Sequence, residues 1–513
     1  MKKYFILMLF FVTGCAQQSL VPRWQQHDFT FHGSNRHKNP FTVNFSAVIS
    51  GPHNISFTTL GFYDGNDNWK IRLAPYTEGI WSLRTVSDDP VLDGKKTSLV
   101  CVKNSNPRIC GPIMVDQNRP GTFIFEDGSH YFLMGYECDW LWALDMNNSE
   151  LPVMKPFLDK LAANHFNHIL LNAYSHDCKW RLGKTGPDDF GPPDMYAWAG
   201  TNEQPDHSRF NLTYWRHYDQ MIAELCERGI VAHIMIKVYN KKVNWPANAG
   251  PEDDMYFRWL IARYAPFPNV VWSFSKEAHN EKDIEYKLSR FRLIRRFDPY
   301  HRLITNHDDD AAYDSGDYDS LLDFRSDQQH KNWHQTVLNQ RQRRDWPVVN
   351  VEFGYECGPK GLQDFTYKVV QSPQEVCRRA WEIALAGGGI VYYYTYTAWD
   401  IIRTNDNPPG YNYFKNLYEF FANTKYWLME PADNLVSKGY CLANPGKEYV
   451  IFLNQAEPFT LKLDGLAKPL KAQWFHPFTA ERCDAGSLDN GISELVSPKS
   501  WGNSPVVLHI KQN

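Results

Sequence analysis

Two glutamates in the second half of the chain have the type and setting that proton transfer or nucleophilic attack requires. Glu277 follows the apolar stretch Asn269-Val-Val-Trp-Ser-Phe-Ser-Lys, and Glu352 ends the stretch Trp346-Pro-Val-Val-Asn-Val. A carboxylate in so apolar a segment must be paired, hydrogen-bonded or functional, because burying an unpaired charge is costly. Two facing carboxylates are the groups that cleave a bond between sugars, one donating a proton and one attacking carbon.

The elements that would position these glutamates lie in a region of alternating strand-like and helix-like patterns, residues 113–425. Such repetition over about 300 residues predicts a (β/α)8 TIM barrel, in which reactive groups lie at the carboxyl ends of the strands. A sixth strand, poorly defined, is expected to end near Asp327 and Gln328. The other strands are predicted at 131–136, 168–173, 231–238, 270–274, 303–306, 348–353 and 389–394. Helices are predicted at 151–164, 214–228, 253–265, 281–297 and 373–386.

The barrel region is flanked by segments with a different rhythm, at residues 24–112 and 430–513. Both contain short runs in which apolar and polar residues alternate, such as Phe41-Thr-Val-Asn-Phe and Tyr449-Val-Ile-Phe-Leu, separated by turn residues. Period-two runs of this kind are typical of β-sandwiches. The fold class is therefore predicted to be multidomain α/β, a barrel between two β-sandwich domains.

The two glutamates resemble the pair found in retaining glycoside hydrolases of the two-glutamate clan, one after the fourth strand and one after the seventh. Their order, their strand contexts and their separation of 75 residues all agree with that layout. The resemblance implies that Glu277 is the general acid/base, with a raised pKa, and that Glu352 is the nucleophile. It departs from the clan at Lys276, where an asparagine usually contacts the sugar 2-hydroxyl. Either that contact is made differently, or the Lys276 cation recognises a charged substituent.

Each region also resembles a known domain. The HDFTF, GFYDG, WKIR and LDG segments resemble a sandwich domain of unknown function found ahead of barrels in bacterial glycoside hydrolases. The barrel resembles the apiosidase-like family, whose acid is expected to be an aspartate at the fourth strand, so apiose specificity should not be transferred to Glu277. The segments starting at Cys441 and Trp474 resemble a collagen-binding-type β domain, for which packing against the barrel is the preferred role.

Further polar and aromatic residues stand near predicted strand ends and suit a sugar site, which combines aromatic platforms with hydrogen-bonding groups. If Glu277 instead only starts a helix and offsets its dipole, Asp139 is the alternative acid. The candidates for substrate binding are Asp139, Trp140, Asn172, Tyr174, His233, Lys276, Asn306, His307, Tyr396 and Trp399.

The first fifteen residues are typical of an export signal. Lys2 and Lys3 precede a short apolar run that ends in Thr13-Gly-Cys. A basic end, an apolar stretch and a small-residue cleavage site define a signal peptide. Val-Thr-Gly-Cys resembles the bacterial lipobox, which implies cleavage before Cys15, lipidation of its thiol and an exported protein anchored to the cell envelope, facing the periplasm or the cell surface.

Composition and missing motifs exclude several classes of protein. A net charge of −4 without a long Lys/Arg run argues against a nucleic-acid binder. The chain has no phosphate-binding glycine motif, and its acidic run at Asp308 lacks the EF-hand pattern, so no cofactor or metal is expected. Cys101 and Cys110 could form a disulfide, whereas the other cysteines after Cys15 are expected to be buried thiols.

Two functions remain open. The favoured one is a glycosidase that cleaves O-glycosidic bonds in a poly- or oligosaccharide, with a carbohydrate as its partner. The alternative is a non-catalytic glycan-binding lipoprotein whose barrel has lost catalysis, as Lys276 would indicate. The long polar segment 175–209 is expected to shape the site, and closing one end of a cleft would favour exo-action.

Overall fold

The computed structural model describes residues 19–179, 183–309, 319–363 and 370–512, and its centre is a parallel β-barrel. Its strands are β1 (Met134–Glu137), β2 (His168–Asn172), β3 (Val231–Val238), β4 (Val270–Lys276), β5 (Ile304–Thr305 and His307–Asp309), β6 (Arg325–Gln328), β7 (Val348–Glu352) and β8 (Gly389–Tyr392). They pair in the order β5, β4, β3, β2, β1, β8, β7, β6 and back to β5, so the sheet closes on itself. The two pieces of β5, one paired with β4 and one with β6, are separated by Asn306. The predicted (β/α)8 barrel is therefore confirmed.

Helices follow the strands and pack around the barrel. Their starts are encoded locally, because Asn211, Asp283 and Ser372 each accept a hydrogen bond from a backbone N–H of the first helical turn. Between β5 and β6 the described chain contains only the short 3-10 helix Asp319–Leu321, and residues 310–318 lie outside the described ranges. The α-helices are α1 (Met154–Ala163), α2 (Leu212–Glu227), α3 (Pro251–Tyr264), α4 (Ile284–Phe297), α5 (Trp333–Arg343), α6 (Pro373–Leu385) and α7 (Pro409–Ala422).

The amino-terminal end of the barrel is closed by a small antiparallel sheet, Ile113–Val115, Phe123–Phe125 and His130–Tyr131. The Phe123 ring meets the edge of Phe324, which precedes β6, at a centroid distance of 5.2 Å. The predicted strand 131–136 is thus two elements, the last strand of this small sheet and the barrel strand β1. Because the small sheet covers the amino-terminal end of the barrel, the active site is expected at the carboxyl end.

The N-terminal region forms two facing antiparallel-rich sheets, and their core includes Trp69 and Trp81, both almost fully buried. The first strand starts at Ser19, five residues before the predicted start of this domain. One sheet has the order Ser19–Pro22, Lys96–Val102, Gly79–Ser87, Phe45–Ser50 and Ser56–Leu60, and the other His27–His32, Asn68–Leu73 and Phe62–Tyr63.

The C-terminal region packs against α6 and α7 through aromatic rings. Trp381 stacks on Phe452 at 5.7 Å, and Phe420 contacts Phe475 at 4.9 Å. Its six-stranded sheet has the order Glu430–Pro431, Tyr440–Asn444, Glu448–Leu453, Val506–Lys511, Leu470–Phe475 and Arg482–Leu488, with a second sheet of Phe459–Leu463 and Gly491–Leu495.

The disulfide considered between Cys101 and Cys110 is not formed, since both thiols are free. Each sulfur instead contacts a backbone carbonyl of its own surroundings, that of Pro75 for Cys101 and that of Pro107 for Cys110. Within the described ranges, no helix is both long and apolar enough to cross a bilayer. Cys15 and the rest of the predicted leader lie outside those ranges.

A charge network joins the N-terminal sheets to the barrel helices. Arg72 lies 3.1 Å from the Asp219 carboxylate on α2, which in turn pairs with Arg263 on α3 at 2.5 Å. Arg72 also pairs with Asp28 at 2.7 Å, and Arg263 with Asp64 at 3.5 Å. Asp219 is therefore the carboxylate shared by the two guanidinium groups.

Asp219→Asn is expected to destabilise the protein by about 3 kcal/mol, because two nearly buried guanidinium groups lose their common counter-ion. Thermal or urea unfolding measures the change. The matched control is Asp159→Asn, which removes a largely exposed partner of Arg228 2.7 Å away and should cost less than about 1 kcal/mol. Equal losses in the two variants would contradict the role assigned to Asp219.

Candidate active site

The carboxyl end of the barrel is organised around the buried ammonium group of Lys276, the last residue of β4. Its Nζ donates to Glu137 at the end of β1, to Asp139 at 3.2 Å and to the Tyr393 hydroxyl just after β8 at 2.6 Å. The Glu352 carboxylate, at the end of β7, lies 3.8 Å away. Lys276 thus sits among groups from three other strands, and its side chain is almost fully buried.

The charges around Lys276 set its protonation and that of its neighbours. Burial lowers the pKa of Lys276, but the carboxylates of Asp139, Glu137 and Glu352 outweigh it and raise that pKa. Burial raises the pKa of Glu137 well above its ordinary value. It raises that of Asp139 too, but the Lys276 ammonium more than offsets it and holds the pKa of Asp139 low. The cluster therefore keeps its lysine charged and favours a proton on Glu137.

Glu352 lies at the edge of this cluster, next to His307. Its Oε2 is 3.6 Å from Nε2 of His307, which follows the break in β5, and the ring of His307 is held by Gln328 at 3.0 Å. This Oε2 atom is buried but is not hydrogen-bonded by any described residue. The same holds for Oδ1 of Asn172, the last residue of β2, and for Oδ1 of Asn306, which divides β5. Unmet hydrogen-bonding capacity at three strand ends is what a polar ligand such as a sugar would fill.

Glu277 stands one residue beyond β4, on a left-handed backbone with φ 56°. Its Oε1 accepts a hydrogen bond from Asn240 at 3.0 Å, and its Oε2 lies 3.0 Å from Nε2 of His279. Glu277 precedes the 3-10 helix Ala278–Asn280 but makes no side-chain capping bond to it, and Asp283 caps α4. Its carboxyl group contacts Asn240 and His279 instead of a helix N-terminus.

The two glutamates share their electrostatic surroundings. Lys276 precedes Glu277 and is 3.8 Å from Glu352, while His307 is 3.6 Å from Glu352 and acts electrostatically on Glu277. Both side chains belong to the carboxyl end of the barrel, where Glu277 is partly exposed and Glu352 is buried.

The protonation expected for Glu277 is wrong in this structure. Burial raises the pKa of Glu277, but the hydrogen bond from His279 and the positive charges of His307, Lys276 and His279 bring it to about 2. The hydrogen bond to Glu277 in turn raises the pKa of His279. Near neutral pH the pair therefore holds its proton on His279 rather than on Glu277.

The remaining predicted binding residues divide into two groups. Asp139, Asn172, Asn306 and His307 lie at the strand ends just described. The aromatic candidates are buried against other rings. Trp140 stacks on Trp142 and Trp142 on Tyr174, Trp399 packs on Tyr355, and Tyr396 lies under the Arg403 guanidinium at 3.6 Å. Their assignment to substrate binding stays a prediction.

His233 lies near the amino end of β3, away from the candidate site. Its Nδ1 is 3.1 Å from Nε2 of His168 on β2, and burial lowers its pKa well below the ordinary value. Its burial and its pairing with His168 are typical of a core histidine, and its assignment to substrate binding stays a prediction.

Sequence reasoning missed Glu137, Asn240, Lys241, His279 and Tyr393. Glu137 and Asp139 are two residues apart at the end of β1, and this spacing puts them on the same face, which was a usable signal. Lys241, 3.9 Å from Asp139, and Asn240 follow β3 in a polar turn that resembles many others. His279 carries no signal until the backbone turn at Glu277 is known.

The long segment 175–209 spans the carboxyl end of the barrel. Its strand Asp177–Cys178 pairs with Lys241–Lys242 after β3, and its Phe190 N–H donates to Asp400 after β8 at 2.7 Å. Residues 180–182 lie outside the described ranges. The segment therefore borders the site from the β3 side to the β8 side.

The sequence matches two known families. Residues 119–435 match the family described as "Apiosidase-like, catalytic domain", and residues 20–88 match a domain of unknown function (DUF5060). No curated protein matched the sequence.

Solved structures give the same fold. A Bacteroides vulgatus ATCC 8482 protein assigned to the glycoside hydrolases superposes with a TM-score of 0.80 at 20% identity, over 97% of this chain and 100% of its own. A family 5 glycoside hydrolase from the same organism gives 0.62 at 18% identity, over 80% and 95%. A third structure, described as a glycoside hydrolase, gives 0.60 at 18% identity, over 80% and 99%. At these identities the likeness establishes the architecture.

Glu277→Gln is expected to lower the pKa of His279, because the hydrogen bond that raises it is lost while burial continues to lower it. Histidine NMR titration measures this pKa. The control is Glu281→Gln, which removes a nearby carboxylate bonded to Asn248 and Asp283 rather than to His279. An unchanged His279 pKa in Glu277→Gln would contradict the pairing.

Proposed function

The chain belongs to the family of apiosidase-like catalytic domains and is a glycosidase, and from this premise we propose that it cleaves O-glycosidic bonds of a poly- or oligosaccharide with retention of configuration. Glu352 is the nucleophile and Glu277 the acid/base. The observation that carries the proposal is that both carboxylates, at the ends of β4 and β7, lie beside Lys276 and His307. Glu352 is 3.8 Å from the Lys276 ammonium and 3.6 Å from the His307 ring, and both residues act electrostatically on Glu277.

In the first step, Glu352 attacks the anomeric carbon while the bond to the leaving oxygen breaks, which gives a covalent glycosyl-enzyme. Nucleophilic attack requires the ionised carboxylate. Lys276 supplies a positive charge 3.8 Å from it, and Nε2 of His307 lies 3.6 Å from the same oxygen. Lys276 is thus a positioning residue.

The proton for the leaving oxygen is held by the pair of Glu277 and His279. At rest the pair carries one proton on His279, 3.0 Å from Glu277 Oε2. Transfer of this proton from Nε2 to Oε2 produces the neutral Glu277 that protonates the leaving oxygen. In the second step the Glu277 carboxylate takes a proton from water, and the resulting hydroxide equivalent displaces Glu352 from the sugar.

Glu352→Gln is expected to lower kcat by about 1000-fold or more while sugar binding is retained, because the nucleophile is lost but the shape is kept. Hydrolysis is followed on the substrate that a panel of oligosaccharides identifies. The control is Glu356→Gln, four residues on, whose buried carboxylate accepts from Tyr392 and the Gly410 N–H and should keep activity.

The same experiment addresses the non-catalytic alternative and the stereochemistry. Wild-type protein that binds a glycan but hydrolyses none of the panel would replace the proposal with the glycan-binding lipoprotein. A first product of inverted anomeric configuration, observed by NMR, would reject Glu352 as nucleophile.

His279→Gln is expected to move the basic limb of the kcat/KM profile to lower pH. In the wild type that limb reports loss of the proton from His279, whose pKa lies above 6.5. In the variant Glu277 must hold the proton itself, and a carboxyl group loses it at lower pH. The pH profile is the measurement. His165→Gln, which removes a largely surface pair with Glu419 at 3.3 Å, is the control that should leave it unchanged, and an unmoved limb in His279→Gln would contradict the pair mechanism.

A further inference from the structure

The outer face of the five-stranded N-terminal sheet is unusually apolar at one edge. Leu20, Val100 and Ile80 are adjacent across three strands, because Val100 pairs with both neighbours. Leu20 is 69% and Ile80 62% exposed. These three side chains form a row that we call the apolar row. It lies outside the carboxyl end of the barrel and is not used by the proposed chemistry.

Exposed apolar residues are concentrated on this face. Of the ten large hydrophobic residues that are most exposed in the described ranges, four are on it: Leu20, Val48, Ile80 and Val86. Single exposed apolar residues are normal on soluble proteins, whereas clusters of them mark interaction surfaces.

The charge of the face has one sign. None of its five strands contains an aspartate or glutamate, and its charged residues, Arg84 and Lys96, are directly paired in register. Within the described part of the chain, neither makes an ion pair with a carboxylate. Beside an apolar row, such a pair is complementary to an anionic surface.

The face lacks the aromatic platforms that a flat sugar-binding surface uses. The aromatic side chains of its strands point into the sandwich, where Phe57 packs against Trp81 and Tyr300. What remains outside is aliphatic, hydroxyl-bearing or basic. This chemistry suits the boundary of a lipid bilayer better than a polysaccharide.

The chain outside the described ranges enters at this face. Ser19 begins the edge strand that carries Leu20, and Cys15 precedes it by four residues. Four residues span at most about 14 Å. A lipid on Cys15, as the lipobox resemblance implies, would hold this edge within that distance of the membrane.

We propose that the outer face of this sheet docks on an anionic lipid bilayer, with the apolar row entering the interface and Arg84 and Lys96 contacting lipid phosphates. The docked face fixes the orientation of the sheet on the membrane. The proposal does not depend on the proposed hydrolysis.

The test uses the chain from Ala16 onward, which keeps every described residue and removes the leader and the lipid. Co-flotation is measured with vesicles of phosphatidylethanolamine and phosphatidylglycerol, and with vesicles of phosphatidylcholine. The wild type is expected to bind the anionic vesicles. Arg84→Gln and Lys96→Gln should each weaken that binding by about five-fold.

The double variant Leu20→Ser and Ile80→Ser should lose anionic-vesicle binding at least as strongly, whereas Ile492→Ser, equally exposed at 72% on the C-terminal sheets, should not change it. Hydrolysis of a soluble substrate should be unaffected in all these variants. Absent binding by the wild type, or equal binding by the double variant, overturns the proposal. A dimer that the double substitution disperses, or adsorption to polysaccharide through the same residues, also overturns it.

Discussion

The buried ammonium group of Lys276 is the interaction on which the carboxyl end of the barrel depends. It ties β1, β7 and the segment after β8 to β4 through Glu137, Asp139, Glu352 and Tyr393. Three carboxyl groups so close together would repel one another without it. Removing one partner from a buried set of this kind typically costs about 3–5 kcal/mol. The charge balance of the site is therefore part of the stability of the barrel.

The two proposed catalytic glutamates differ in the kind of cation beside them. Glu352 is next to a lysine whose pKa is raised by the carboxylates around it. Glu277 is next to His279, which can lose its proton. The basic partner of Glu277 is thus a group that titrates, whereas that of Glu352 is a lysine. In the proposed mechanism this asymmetry would give two chemically identical side chains different roles.

The barrel was predictable where the strands are continuous apolar runs. The prediction 231–238 coincides with β3, and the ends of β2 and β7 were each missed by one residue. The division of β5 into two pieces was not predicted, because the break at Asn306 depends on the pairing with the strands on either side and not on local sequence. Helix α5 was missed because it lacks a capping side chain and has few apolar residues.

For the candidate site, the sequence predicted mainly which residues lie at the carboxyl end of the barrel. Residues that follow apolar runs, such as Lys276 and His307, do lie at the carboxyl end of the barrel. Their partners and protonation were not predictable, since the pKa of Glu277 is set by the placement of His279 after a left-handed turn. Aromatic residues near strand ends are an ambiguous signal of sugar binding, because a large barrel also needs such rings to fill the space between its loops and helices.

The left-handed backbone at Glu277 limits which residues can replace it. Aspartate and asparagine tolerate this conformation better than most residues, and β-branched residues avoid it. An aspartate, as expected in the apiosidase-like family, would satisfy the same turn but carry its carboxyl group about 1.5 Å closer to the main chain. Exchanging aspartate and glutamate at this position therefore changes how far the carboxyl group extends from the main chain but not the backbone conformation. A chain with glutamate here needs a correspondingly wider gap for its sugar.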